Sequence, residues 1–352
     1  MKVAIVGCGL ISDIHLKAAT SYSGAQVVGL ADKDIARART QAARFSIRQA
    51  TSELGDLLAQ QPDVVHVLTP PASHESVTIA ALEAGAHVYV EKPMAISEAA
   101  CERMTRAAVA ANRQLCIGHC WVYSPAMRQA SELLSSGKAG AVVQAAASFN
   151  FDLRRSPNFG SGHWSGEMPG GLAEDVAIHP LSALIHVLGA PHRTYALNRG
   201  AIADDGRPPD VRALVEGERG LGTLALSFRA RPDLAMLDLW CERMLLRLNI
   251  SSMTLTTYRQ LPFPRKISLA MANLDVASQL VGATIGTAWR LLRRKVDGSY
   301  GIVPLVHAFY AAIEAGQSAP VGPAEGQQAV RVLRSIWPLA STSSSPALGV
   351  VA

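Results

Sequence analysis

Three short segments carry the side chains best placed to do chemistry. The first is Gly7-Cys8-Gly9-Leu10-Ile11-Ser12, entered from the apolar, β-branched run Val3 to Val6. A buried parallel strand that turns on glycine into a helix can grip a dinucleotide. Gly7 permits the tight turn, and Gly9, lacking a side chain, lets the backbone close on a pyrophosphate at the helix N-terminus. Ser12 stands where a third glycine is usual, and a residue this small still lets helix and strand pack closely. The next strand, Gln26 to Ala31, ends in Asp32. A carboxylate about 20 residues past the turn accepts hydrogen bonds from the adenosine ribose hydroxyls and repels a 2′-phosphate. NAD is therefore the expected cofactor, and Lys33 leaves NADP open. The expected binding set is Gly7, Cys8, Gly9, Leu10, Ile11, Asp32 and Lys33; the competing reading is a glycine turn in an α/β domain that holds no nucleotide.

The second segment is Glu91-Lys92-Pro93, directly after the strand His87 to Val90. Pro93 confines Lys92 to extended backbone, which keeps its side chain out of a helix. An ammonium at that sheet edge can hydrogen-bond a substrate oxygen and stabilise the charge that develops there as hydride leaves. By position alone, a solvated lysine at a strand end is the plainer reading.

The third segment is Gly170-Gly171 leading into Asp175-x-x-x-His179. Residues four apart share one helix face, and a carboxylate that accepts one imidazole N–H frees the other nitrogen for proton exchange. Alcohol oxidation by hydride transfer needs one such base; an ordinary helical ion pair is the alternative. Upstream, the loop Phe151 to Pro169 holds Arg154 and Arg155, which could clamp a carboxylate or phosphate, with His163 and Trp164, the latter able to stack on a sugar face. Solvated loop arginines are the bland alternative. His15 and His186 are assigned to packing. Cys116, His119 and Cys120 have no second pair of ligands, so no metal site is expected.

The elements that must position these groups fall into two sets. Up to about Gly118, apolar runs at Val3 to Val6, Gln26 to Ala31, Val64 to Leu68, His87 to Val90 and Leu115 to Gly118 alternate with helical stretches at Ile11 to Ala19, Ile35 to Phe45, His74 to Ala84 and Ser97 to Ala111. That pattern predicts an α/β fold with a doubly wound parallel sheet, whose right-handed crossovers gather Gly7, Thr69 and Glu91 at one edge. After Pro125 the period changes. Strands are expected at Val142 to Phe151, Arg193 to Ile202, Val211 to Glu216, Leu221 to Phe228, Leu234 to Cys241, Leu245 to Ile250 and Thr254 to Tyr258. Strands in such close succession predict a largely antiparallel open sheet with helices on one face and partner subunits on the other. Residues 276–295, apolar with a basic end, are too short and too polar to span a bilayer and read as a packed helix with a solvated basic end, a helix lying on an anionic membrane being the alternative. Helices at Val303 to Ala315 and Ala324 to Ile336 follow, and the chain from Ser341 reads as a loose tail. The expected domains are 1–121, 122–340 and the tail 341–352.

Composition narrows the function classes. With 352 residues, 49% hydrophobic and 17% charged, there is apolar surface for two cores and too little charge for disorder. The net charge of +5 is scattered and aromatics are only 5%, so nucleic-acid binding is not indicated. No basic stretch precedes an apolar leader, and five cysteines without Cys-x-x-Cys spacing fit a reducing compartment, so a cytoplasmic protein without an integral membrane segment is expected.

In combination, Gly7-x-Gly9-x-x-Ser12, Thr69-Pro70-Pro71-x-x-His74, Glu91-Lys92-Pro93 and Gly170-Gly171 leading to Asp175-x-x-x-His179 resemble the glucose-fructose oxidoreductase, inositol dehydrogenase and rhizopine-catabolism (Gfo/Idh/MocA) family over nearly the whole chain. The resemblance implies an N-terminal Rossmann domain and a C-terminal α/β domain whose open sheet mediates a homodimer or homotetramer. It also implies oxidation or reduction of a carbinol in a sugar, cyclitol or related small molecule with NAD or NADP. Thr69, Pro70, His74, Glu91 and Lys92 would join the cofactor site. Lys92, Asp175 and His179 would form the catalytic set: His179 as proton acceptor, Lys92 as anchor of the reacting oxygen, and Asp175 as orienter or substrate ligand. Relatives that reduce a C=C or C=N bond, and a dinucleotide-binding regulatory protein without turnover, are the alternatives. Two departures stand out. Ser182 replaces an aspartate common three residues after the histidine, and Ala177 replaces a glycine two before it, which makes an inositol-like substrate less expected.

Overall fold

Val3, Ala4 and Ile5 are completely buried, because a strand at the centre of a parallel sheet has helices on both faces. Residues 1–152, 163–199, 210–292, 301–338 and 350–351 are described by a computed structural model. The first part of the chain forms β1 (Lys2–Val6), α1 (Ser12–Ser21), β2 (Gln26–Ala31), α2 (Ile35–Arg44), β3 (Ala50–Thr51), α3 (Leu54–Leu58), β4 (Val64–Val67), α4 (His74–Glu83), β5 (His87–Val90), α5 (Glu98–Ala110) and β6 (Leu115–Ile117). Its six strands pair in parallel in the order β3-β2-β1-β4-β5-β6. Sequence chemistry sets several boundaries. Asp34 accepts hydrogen bonds from the amides of Ala36 and Arg37 to start α2, and the Ser97 hydroxyl accepts from Ala100 to start α5.

The next part forms α6 (Pro125–Ser135), β7 (Val142–Asn150), α7 (Gly171–Leu188), β8 (Pro191–Arg199), β9 (Asp210–Gly217), β10 (Gly220–Ser227), β11 (Leu234–Cys241), β12 (Met244–Asn249), β13 (Thr254–Arg259) and α8 (Arg265–Leu292). The strands order as β13-β12-β11-β7-β10-β9-β8, antiparallel except between β7 and β10. One face is the core: Ala145 and Ala147 of β7, Leu224 and Leu226 of β10 and Leu237 and Leu239 of β11 are buried, with α7 packed against β7 and β10. The opposite face leaves Tyr195, Leu214 and Leu221 exposed. α7 is long and apolar enough to cross a membrane, yet 78% of it is buried inside the protein, as befits a core helix.

The chain continues into α9 (Ile302–Glu314), α10 (Pro323–Ile336) and β14 (Val350–Val351). Two compact units result, 1–120 with 302–331 and 121–301 with 332–352. The expected second domain, 122–340, therefore gives up α9 and the start of α10 to the first unit. The reason lies on α9, whose buried Leu305, Val306, Phe309 and Tyr310 need an apolar partner, while the His307 Nε2 lies 3.0 Å from the Ala18 carbonyl of α1. The expected loose tail falls mostly outside the described residues, and its Val350 and Val351 differ from expectation by pairing with Tyr195 and Thr194 of β8. A further correction concerns 276–295. α8 begins eleven residues earlier, at Arg265, and its apolar side chains are largely exposed, because it is tied to its sheet through polar groups.

Candidate active site

The glycine turn after β1 is built for close approach. Gly7 has φ +97°, and a Cβ there would lie 2.7 Å from the Leu68 carbonyl, whereas a Cβ on Gly9 would meet nothing within 4 Å. Gly7 is thus required by the neighbouring strand end, and Gly9 borders open space. Ile11, at the start of α1, supplies no side-chain cap; the Ser12 amide donates to the Gly9 carbonyl and the Ile14 amide to the Ile11 carbonyl, each at 3.1 Å. Ser12 compensates for the missing third glycine: it is fully buried, and its hydroxyl donates to the Gly9 carbonyl at 2.6 Å. The Asp32 carboxylate accepts the Cys8 amide at 2.7 Å and the Asp34 amide at 2.9 Å, which fixes the acid beside the turn. The Cys8 thiol is buried, and burial pushes its pKa up to about 12. Leu10 and Lys33 are exposed and Ile11 half-buried. A tight glycine turn, open space over Gly9 and an oriented acid fit a dinucleotide.

The loops after β4 and β5 are tied together by His74. Its Nε2 lies 2.7 Å from the Thr69 carbonyl and its Nδ1 2.9 Å from the Pro93 carbonyl. Burial is the larger influence on its pKa and lowers it, against the pull of the two carbonyls. His74 is fully buried, so in this fold it positions the Thr69-Pro70 and Lys92-Pro93 segments instead of presenting itself to a nucleotide. The Lys92–Pro93 peptide is cis.

Glu91 likewise turns inward, into a buried polar chain. Its Oε1 lies 3.1 Å from His15 Nε2, His15 Nδ1 lies 2.9 Å from His66 Nδ1, and His66 Nε2 lies 2.7 Å from the Tyr310 hydroxyl. An ionised carboxylate only accepts, so His15 donates from Nε2 and, as a neutral imidazole, accepts at Nδ1. His66 then donates from Nδ1 and accepts the Tyr310 proton at Nε2. With both imidazoles neutral, this one arrangement of protons satisfies every member. Burial alone would raise the Glu91 carboxyl, but the His15 hydrogen bond and the Lys92 charge outweigh it and hold the pKa below the usual range. Burial drives the His66 pKa well down, which keeps the imidazole neutral as the chain requires. The Lys92 amide donates to the other Glu91 oxygen at 3.2 Å, so the chain ends on the backbone of the lysine.

In the second unit, the Gly170-Gly171 pair sets the start of α7. A Cβ on Gly170 would lie 2.5 Å from the Trp337 ring, and Gly171 has φ +57°. Buried Glu174 accepts the Gly170 amide at 2.9 Å and ion-pairs with Arg334, whose own pKa burial lowers to about 10. Asp175 is buried, 4% exposed, while His179, one turn on, is half-buried with its ring stacked on Trp121 at 5.9 Å between centroids and 21° between planes. Pro180 removes the amide that would bond the Val176 carbonyl, and the Ser182 hydroxyl donates to the His179 carbonyl at 2.9 Å. Ser182 is thus turned to the helix backbone. His163 caps a short turn through the Ser165 amide and lies against the Trp164 ring at 4.9 Å. Arg154 and Arg155 lie outside the described residues.

Lys92 with its supporting chain therefore belongs to the first unit, and Asp175 and His179 to the second. Sequence reasoning missed His66, Tyr310 and Trp121, and took His15 as packing alone. A histidine in the otherwise apolar strand Val64-Val65-His66-Val67 was the available signal.

The fold and these motifs define a two-unit α/β protein whose first unit is a Rossmann domain. A sequence profile of the Gfo/Idh/MocA oxidoreductase family, NAD-binding Rossmann fold, matches residues 1–119, and the profile of the Gfo/Idh/MocA C-terminal domain matches 127–246; the chain belongs to this family. It is 29% identical over 195 residues to the D-glucoside 3-dehydrogenase of Escherichia coli, covering 54% of this chain and 55% of that protein. It is 28% identical over 193 residues to an inositol 2-dehydrogenase of Ralstonia nicotianae, with 54% and 55% covered. The chain thus spans about half the length of these relatives. Among solved structures, an oxidoreductase from Agrobacterium radiobacter in complex with NAD+, L-tartaric acid and magnesium superposes with a TM-score of 0.76 at 16% identity, covering 96% of this chain and 95% of the other. The WlbA dehydrogenase from Bordetella pertussis in complex with NADH and UDP-GlcNAcA does so with a TM-score of 0.74 at 18% identity, covering 96% and 95%. At these identities the likeness is one of fold.

Proposed function

We propose that the protein is an NAD(P)-dependent oxidoreductase that moves a hydride between nicotinamide and a carbinol carbon of a sugar, sugar derivative or related hydroxy compound. The observation that carries this reading is the half-buried His179 imidazole, stacked on Trp121 one helical turn from the buried Asp175. NAD(P) would supply the hydride acceptor or donor when bound; the Gly7–Ile11 turn, Asp32 and the Thr69-Pro70 segment would hold the dinucleotide. His179 takes the hydroxyl proton, and the flat Trp121 face restricts its ring to one orientation. Asp175 orients that imidazole or a substrate hydroxyl, and the Lys92 ammonium hydrogen-bonds the reacting oxygen. Asp32 favours NAD over NADP. Relatives named as glucoside, apiose and inositol dehydrogenases support a polyhydroxylated substrate. Five free thiols support a cytoplasmic setting, and the exposed face of the second sheet supports a homo-oligomer.

The test is a panel of sugars, sugar acids and cyclitols with NAD+, followed by nicotinamide absorbance. With any substrate so found, His179→Ala lowers turnover by roughly 100-fold or more and leaves NADH affinity unchanged. Unchanged turnover removes His179 from the mechanism. Activity confined to imines or activated alkenes replaces the carbinol reading, and NADH binding with no turnover on any class leaves a regulatory protein.

A further inference from the structure

α8 is held to its own unit by polar contacts. Gln279 accepts the Thr257 amide at 2.8 Å through Oε1 and donates to the Thr257 carbonyl at 3.0 Å through Nε2, while Asp275 pairs with Arg259 at 3.5 Å. The side of the helix away from these contacts is apolar and exposed, with Leu274, Val281, Ile285 and Leu292 each between 60% and 78% accessible. That surface has a period. Met271, Ser278, Ile285 and Leu292 fall at one heptad position (a), and Ile267, Leu274, Val281 and Ala288 at the other (d), and all eight are exposed. Steps of four and three alternate without interruption from Ile267 to Leu292.

A stripe two positions wide in seven matches the seam of one helix against another. A helix lying on lipid needs a broader apolar face, with Lys and Arg spread along its polar side. The polar side of α8 carries Asp275 and Gln279 with Arg290 as its one basic position, and Arg265 and Lys266 stand at its N-terminal end, off the seam. With Trp289, the exposed stripe amounts to roughly 800 Å² per copy, the per-partner area of a stable interface.

We infer that α8 is a self-association surface, pairing antiparallel with α8 of a second copy of this chain. In the register that overlaps the whole stripe, Ile267 faces Leu292, Met271 faces Ala288, Leu274 faces Ile285 and Ser278 faces Val281. Large side chains then meet small ones at two of the four levels. A parallel pair would instead set Ser278 on Ser278 and Ala288 on Ala288, leaving gaps in the seam. This surface is separate from the exposed sheet face, and two isologous surfaces on one chain build a closed tetramer.

Sedimentation velocity and light scattering on the full chain test it. The mass is expected to halve in the double variant Val281→Glu/Ile285→Glu, with circular dichroism reporting whether the fold is kept. A measurement independent of that variant is the distance between nitroxides on Ala270→Cys in two copies. The antiparallel register places them about 28 Å apart along the helix axis at 1.5 Å per residue, whereas a parallel pair brings them within about 15 Å. A monomeric wild type, an unchanged mass in the folded double variant, or the short distance each overturns the proposal. So does co-sedimentation with phosphatidylserine vesicles that is lost in the double variant while the mass stays the same.

Discussion

Tyr310→Phe isolates one link of the chain that ends at Glu91. The substitution keeps the ring, its edge-to-face contact with Tyr22 at 5.2 Å and its packing on His66 at 5.7 Å, and removes only the hydroxyl that donates to His66 Nε2 at 2.7 Å. Tyr310 and His66 are both completely buried, so no water replaces the lost donor and the His66 nitrogen is left unsatisfied. The expected cost is about 1–3 kcal/mol. In urea unfolding at pH 7.5 this appears as a lower midpoint with an unchanged slope. The same substitution in a His66→Leu background should cost markedly less, because the acceptor is already gone. Imidazole nitrogen NMR supplies the second readout: the wild type should show His66 protonated at Nδ1 and His15 at Nε2, and Tyr310→Phe should keep that tautomer, which Glu91 sets from the other end, while shifting the resonance of the unpaired His66 Nε2. A wild-type His66 protonated at Nε2, or an unchanged midpoint with an unchanged Nε2 resonance in the variant, refutes the directed chain.

Three further outcomes follow from the described geometry. His66 and His74 both have pKa values lowered by burial from the ordinary 6.5. The unfolded chain therefore binds more protons at mildly acid pH, so stability should be full above about pH 6.5 and fall as pH drops below it; a urea midpoint that rises between pH 7 and 5.5 contradicts this. Asp32→Ala removes the acceptor of the Cys8 and Asp34 amides and should weaken NADH binding roughly tenfold or more, with a smaller effect on NADPH; equal losses in fluorescence titrations would withdraw the ribose assignment. Gly170→Ala drives a methyl into the Trp337 ring and should cost about 1–3 kcal/mol, and an unchanged melting temperature would show that the ring can move aside.

Much of the fold was legible because its strands obey a simple rule. Val3 to Val6 and His87 to Val90 are runs that suit a buried sheet, and the close-spaced strands from Val142 to Tyr258 recur within a residue or two of their expected limits, except the one expected over Arg193 to Ile202, which runs from Pro191 to Arg199 and whose last expected residues lie outside the described ones. The glycine turn and Asp32 were legible for the same reason: their chemistry is local. What escaped was long-range. Tyr310 joins the first unit 244 residues away from His66, and nothing near it in sequence announces a histidine partner. α8 was misread because an apolar stripe in sequence looks the same whether the chain's own core or another molecule covers it. His74 and Glu91 were read as ligands, yet their side chains are turned to carbonyls and to His15; proximity to a site and direction toward it are separate facts, and sequence gives only the first.

The return of residues 302–331 to the first unit sets the order in which the protein can be completed on the ribosome. When residue 120 emerges, all six parallel strands exist, but His66 has no donor for its second nitrogen and α1 lacks α9. Some 180 residues of an entire second unit must be synthesised before those groups are covered. A fragment ending at residue 120 should therefore behave as an incomplete domain, exposing apolar surface on α1 and inviting chaperone capture, and the same fragment supplied with residues 302–331 in trans should recover.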